Sequence, residues 1–270
     1  SLVTIAAGVG LLGVSGWFLT AAALTSAGVA FNLLAPSARV RGLSFARILS
    51  RYGEKVTGHD ATLRLLSDLR RTPFANLFRL VPLNGLFGRA DLVSRLVADL
   101  DALDTVFLVG VGPIATATVT GIGMAGLLAY VLPPAAPLYA AGYAIAALGV
   151  PVMLVGATRR VGRNVVSASA ALRGVVLDGI DGHQDLVLFD AIDRTALAAQ
   201  DAAAQLARAR SRLGRYSALA SAAVQAISAL VLIATLLCGL SALGAHRIEG
   251  PLLVGVLLAV VASFEASAAV

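Results

Sequence analysis

Charged residues in this chain fall in blocks, and the gaps between the blocks are apolar. Residues 1–38 contain no Asp, Glu, Lys or Arg, and neither do 105–158, 216–245 or 250–264. An uncharged apolar run of about 18 or more residues is long enough to cross a bilayer as a helix. The pattern predicts span 1 over about Leu2–Gly28, span 3 over about Thr105–Val131, span 4 over about Leu138–Ala157 and span 5 over about Tyr216–Gly244. Span 6 is predicted to begin at Pro251, a residue suited to the first turn of a helix. Pro133, Pro134 and Pro137 break the helix between spans 3 and 4, and His246–Gly250 makes a short polar turn between spans 5 and 6.

Two long polar segments separate these spans. Residues 64–104 hold Arg64, Arg70, Arg71, Arg79, Arg89 and Arg95, and residues 159–215 hold nine arginines. Both are rich in Leu and Ala at helical spacing, while the other connections carry almost no arginine. Arginine is enriched in cytoplasmic loops, so both segments are expected in the cytoplasm. Parity then turns on Pro36–Leu63, which is too charged to register as a span. If it crosses, six helices result and the N-terminus is cytoplasmic; if it does not, there are five and the N-terminus is outside. Two short outer turns with two long cytoplasmic extensions favour six. The expected fold is all-α: a polytopic membrane protein of six transmembrane helices with two long cytoplasmic helical hairpins.

Composition agrees with that reading. The chain has 270 residues, 58% hydrophobic and 13% charged, with mean hydropathy +0.86. Soluble domains carry roughly 45–50% apolar and about 25% charged residues. The net charge of +6 would suggest nucleic acid in a soluble protein. Here the basic residues flank membrane spans, so topology explains them and the lipid bilayer, not nucleic acid, is the expected partner. Cys238 is the only cysteine, which excludes an internal disulfide. The first apolar stretch lacks a basic leader and is read as a span. A start without Met and an end inside an apolar run are expected of a segment trimmed at both ends, so residues 1–270 are read as one transmembrane domain.

The only lysine is Lys55, followed by Val56. A phosphate-binding loop needs Gly-Lys followed by Ser or Thr, so this segment holds no ATP site. Spans 1, 3, 4 and 5 contain no acid, base or histidine, which leaves no proton donors and acceptors for an intramembrane enzyme.

The candidate chemistry lies in Pro36–Leu63. Arg47, Arg51, Lys55 and His59 are each four apart. Steps of four advance about 40° around a helix, so the four occupy one face about 120° wide. An arginine facing lipid costs on the order of 2.5–3.5 kcal/mol. The stripe is therefore expected to face a wet internal cavity as an anion-binding wall, with Glu54 offsetting part of its charge and Tyr52 as a further wall residue. The competing reading is that Lys55 and His59 belong to a solvated cytoplasmic extension, or that His59 bonds Asp60 or a backbone carbonyl.

The wording of the segments resembles the transmembrane domain of type IV ABC exporters. Pro82-Leu83-Asn84-Gly85-Leu86-Phe87-Gly88-Arg89-Ala90-Asp91-Leu92, leading into Ser94-Arg95-Leu96-Val97-Ala98-Asp99, is similar to the first coupling region of that family. Ala90 is a minor departure. Gly179-Ile180 and Asp185-Leu186-Val187-Leu188-Phe189-Asp190-Ala191 resemble the second. A narrower resemblance is carried by Ser15-Gly16-Trp17-Phe18-Leu19-Thr20, Phe31-Asn32, Pro36, Arg39-Val40-Arg41-Gly42, Arg51-Tyr52-Gly53-Glu54-Lys55, His59-Asp60-Ala61-Thr62 and Phe264-Glu265-Ala266. These are similar to the CydC family of subunits in CydDC transporters, which are needed for cytochrome bd assembly. Lys55 stands where that family suggests Arg.

The resemblance implies a bacterial cytoplasmic (inner) membrane location, a CydD-like half-transporter as partner, and nucleotide-binding domains holding ATP and Mg outside this segment. It implies alternating access, with Pro82, Leu86, Phe87, Arg89, Asp178, His183 and Asp185 coupling the spans to those domains. It suggests haem as substrate or bound ligand, His59 being the axial ligand of the iron and Arg47, Arg51 or Lys55 meeting the propionates. The alternatives are export of cysteine or glutathione, whose carboxylates would meet the same cations, and a non-transporting haem-binding scaffold. Trp17 is expected to pack between helices, and His246 to be solvated. The three histidines and Cys238 have no metal-cluster spacing, and no Cys-x-x-Cys-His motif is present.

Overall fold

The computed structural model describes residues 2–24, 34–79 and 112–267, with side chains at 2–24, 34–61, 64 and 112–265. Every regular element among them is helical. In chain order these are α1 (Leu2–Leu24), α2 (Leu34–Arg79), α3 (Gly112–Val131), α4 (Ala136–Ala144), α5 (Val150–Asp181), α6 (His183–Leu188), α7 (Ile192–Gly244) and α8 (Gly250–Ser267). Among the described residues, four helical stretches are long and apolar enough to cross a membrane: Leu2–Leu24, Gly112–Val131, Pro133–Asp181 and Ile192–Gly244. Gly250–Glu265 is a shorter apolar helix. The chain is thus an all-α, multi-pass membrane-spanning bundle.

Proline shapes the element predicted as span 4. A 3-10 turn over Pro133–Ala135 starts it, because Pro133 and Pro134 offer no N–H. Pro151 removes another donor and crowds the carbonyl four residues back, at Ala147. The helix widens there into a π-turn over Ile145–Gly149, then continues as α5.

The chain divides into two compact units. One comprises residues 1–147 and 228–270, the other Leu148–Ile227. In the first, α1 packs on α8 and on α2, and α3 packs on α8 and α4. Glycine permits the closest of these approaches. A Cβ on Gly255 would lie 2.7 Å from the Gly13 carbonyl oxygen and 3.2 Å from the Trp17 Cβ. With little hydrophobic drive between helices in lipid, such close backbone packing is what holds them together. Trp17 packs at this crossing, and it also borders an apolar cavity of about 380 Å³ whose lining includes Gly13, Gly255 and Arg39.

Aromatic side chains fix α4 to α8. The rings of Tyr139, Tyr143 and Phe264 have centroids 5.3–5.8 Å apart in pairs, one stacked and two edge-on. The Tyr139 hydroxyl donates to Ser263 Oγ at 2.8 Å, Ser263 donates to the Val260 carbonyl at 2.7 Å, and Tyr143 donates to the Ala117 carbonyl of α3 at 2.9 Å. Buried hydroxyls must find acceptors, and here each ties two helices or its own preceding turn. Threonines within spans do the latter: Thr116, Thr120 and Thr235 donate to carbonyls four residues back.

The second unit contains α5, α6 and the first part of α7. Gly182 separates α5 from α6, its N–H bonding the Asp178 carbonyl at 2.9 Å. α6 ends with Asp190 in a left-handed conformation, φ 51°. The Asp190 N–H bonds the Val187 carbonyl and the Ala191 N–H bonds the Leu186 carbonyl, which closes a Schellman motif. His246 plays the same part after α7, with φ 54° and the matching pair of bonds from His246 to Leu243 and from Arg247 to Ala242. It is exposed, in the turn predicted between spans 5 and 6.

Candidate functional site

α2 runs unbroken for 46 residues, about 69 Å at 1.5 Å per residue. The segment Pro36–Leu63 therefore lies wholly within one helix. Its early part pairs antiparallel with the apolar α1. Thr4 Oγ1 stands 3.1 Å from Ser50 Oγ and donates to Glu54 Oε2 at 3.2 Å. Further along, the Arg47 guanidinium lies against Gly8, 3.5 Å from where a Cβ would sit, and Leu43 lies against Gly10. The register thus runs 54–50–47–43 on α2 against 4–8–10 on α1.

Arg47 and Arg51 open into a cavity of about 230 Å³ between α1, α2 and α8. Its other lining residues are Thr4, Ile5, Gly8, Val9, Leu12, Ala262 and Glu265. Two guanidiniums and one carboxylate thus share a small space with otherwise mostly apolar walls. Arg47 is half-buried; Arg51 and Glu265 are exposed. Gly8 makes room for the Arg47 head, since a large side chain there would occupy its place.

The remaining residues of the stripe do not join this cavity. Lys55 and His59 lie one and two turns beyond Arg51 and are exposed. Tyr52 is 69% exposed on another side of the helix. His59 is twelve residues from Arg47, about 18 Å along the axis. The nearby Asp60 carboxylate pairs with Arg64 at 2.9 Å. Among the described residues no group of three or more His, Cys, Asp or Glu could hold a metal ion.

Glu265 is the residue that the sequence reading did not place at the site. The available signal was that it is the one charge closing the uncharged run 250–264. Of the expected coupling residues, Pro82, Leu86, Phe87 and Arg89 lie outside the described residues. Asp178 lies in the last turn of α5, and His183 and Asp185 lie in α6; all three are exposed. Beside them, Ile180, Val187, Leu188 and Phe189 also stand exposed, Leu188 at 77% and Phe189 at 74%.

Comparison with known proteins fixes the broader relationship. No family model matches the chain. It is 32% identical, over its whole length, to the glutathione/L-cysteine transport system ATP-binding/permease protein CydC of Escherichia coli (strain K12). It is 37% identical over 186 residues, 68% of the chain, to the protein of the same name from Haemophilus influenzae. The chain is homologous to CydC-type ABC transporter permease/ATP-binding proteins. It spans about half the length of these CydC relatives or less, 48% of the first and 32% of the second. The homology corrects the expectation of haem as substrate or ligand: both CydC relatives are named for glutathione and L-cysteine transport. His59, the expected axial ligand, is not among the residues that line the cavity shared by Arg47 and Arg51.

Proposed function

We propose that this chain is the membrane-crossing part of one half of an ATP-driven transporter for small thiols of the cysteine and glutathione class. The observation that carries the reading is the pair Arg47 and Arg51 opening into one small cavity at the junction of α1, α2 and α8. Cysteine and glutathione both bear carboxylates. Guanidinium pairs with carboxylate through two parallel hydrogen bonds, and the pairing strengthens where water is scarce. Thr4 adds a hydroxyl to the same wall. The CydC relatives, named for glutathione and L-cysteine transport, support the same substrate class.

In this reading α2 crosses the bilayer as a sixth span, with its N-terminal end outside and the N-terminus of the chain in the cytoplasm of a bacterial cell. A second, CydD-like half-transporter completes the substrate path. Nucleotide-binding domains lie outside residues 1–270 and hold ATP and Mg. The α5–α6–α7 tip docks on one of them through Leu188 and Phe189, flanked by Asp178, His183 and Asp185. ATP-driven closure of those domains moves the tip, and the spans alternate between inward and outward access.

The test is ATP hydrolysis by the full-length, assembled transporter in lipid nanodiscs. Glutathione or cysteine is expected to stimulate it. Replacing Arg47 or Arg51 by Ala is expected to raise the half-saturating thiol concentration by about 10–100-fold, the loss of a charge-assisted pair. Stimulation that survives removal of both arginines would take the substrate role away from this cavity.

A further inference from the structure

We propose that Glu265 reads the free amino group of the substrate, so that the site admits thiols with an unblocked α-ammonium and discriminates against those without one. The inference rests on the thiol reading above and adds the group that sets its specificity.

A site for anions alone has no use for a carboxylate. Yet α8 contributes one to a cavity whose other two charged side chains are arginines. An ionisable residue within a bundle of apolar helices is costly unless it meets a partner. Among the described residues, no ion pair joins Glu265 to Arg47 or Arg51. The charges are thus kept on separate walls, the cations on α2 and the anion on α8. A bound zwitterion answers both: its carboxylates go to the guanidiniums and its ammonium to Glu265. Glutathione, with two carboxylates and one ammonium, matches the two arginines and one glutamate in number and sign. Cysteine matches one arginine and the glutamate.

The position of Glu265 is held from behind. Phe264, next to it, is 4% exposed and sits in the Tyr139–Tyr143 ring cluster. Ser263 is fully buried and accepts the Tyr139 hydrogen bond. The backbone that presents the carboxylate is therefore anchored to α4, while the side chain is left to the cavity.

Two pairs of probes isolate the amino group. 3-Mercaptopropionate is cysteine without it, and N-acetylglutathione is glutathione with it blocked. In the full-length, assembled transporter, half-saturation of ATPase stimulation is expected to be at least about tenfold higher for the amine-free member of each pair, the loss of one charge-assisted contact. Glu265→Gln should bring each pair to within about twofold, and Glu265→Asp should keep most of the preference. Arg47→Ala should weaken both members of a pair alike. The proposal is overturned if wild type treats the two members equally, if Glu265→Gln keeps the preference, or if it weakens all four compounds by the same factor, as a purely structural counter-ion would. Should Glu265→Gln fail to assemble, the wild-type comparison and the Asp variant still decide. Silence towards all four compounds sinks the thiol reading itself; a response blind to the amino group sinks only the role of Glu265.

Discussion

At the scale of single residues, the arginines declare themselves and the glutamate does not. Arg47 and Arg51 stand out in the sequence because cations in a helix of spanning length must meet water or a partner. Their spacing also puts Lys55 and His59 on the same face, but spacing says nothing about which of the four meets the neighbouring helix. That comes from the packing of α1, where Thr4, Gly8 and Gly10 meet Glu54, Ser50, Arg47 and Leu43. Glu265 lies more than 200 residues from Arg51, and no periodicity links them; only the packing of α8 on α1 brings them together. Gly8 belongs to the same group. A Cβ there would meet the Arg47 guanidinium at 3.5–3.9 Å, an ordinary contact. Gly8→Ala is therefore expected to leave thiol half-saturation within about twofold of wild type, whereas Gly8→Leu should displace the guanidinium and raise it about tenfold or more. Equal effects from the two substitutions, read by thiol-stimulated ATP hydrolysis, would contradict the placement of Arg47.

At the scale of elements, the long apolar helices were legible and their junctions were not. Uncharged runs predict α1, α3, the stretch from Pro133, and α7, because lipid demands apolar side chains along a whole span. α2 was ambiguous for the same reason: its charges defeat a hydropathy criterion, although its backbone is one continuous helix. The π-turn before Pro151 and the left-handed Asp190 and His246 depend on local hydrogen-bond geometry that residue type does not dictate. Glycine at the α1–α8 crossing carried only a weak signal, since glycine is frequent in spans. Its consequence is nonetheless sharp. Gly255→Ala pushes a methyl group against the Gly13 backbone, which cannot swing aside as a side chain can. A loss of about 1–3 kcal/mol is expected, the usual cost of overpacking. Thermal unfolding of the full-length transporter should show a lower midpoint for Gly255→Ala. Gly126→Ala, at a position with nothing within 4 Å, should match wild type. Equal midpoints for the two would disprove the close crossing.

At the scale of the whole molecule, the proposed mechanism couples a membrane cavity to a docking tip. Exposed Leu188 and Phe189 at the end of a short helix are expensive in water and sensible in an interface. Replacing both by Asp should abolish thiol stimulation of ATP hydrolysis; full stimulation in that variant would remove the tip from the coupling path. Everything else turns on α2 crossing the membrane. Side-specific labelling of single cysteines, in a Cys238→Ser background, reads this directly. Ser37→Cys, near the start of α2, is expected to react with a membrane-impermeant maleimide from outside the cell. Asp60→Cys, at least five turns further along, is expected to react only from the cytoplasmic side, in inverted vesicles. Labelling of both from the same side would contradict the crossing, and with it the cavity as a transport site.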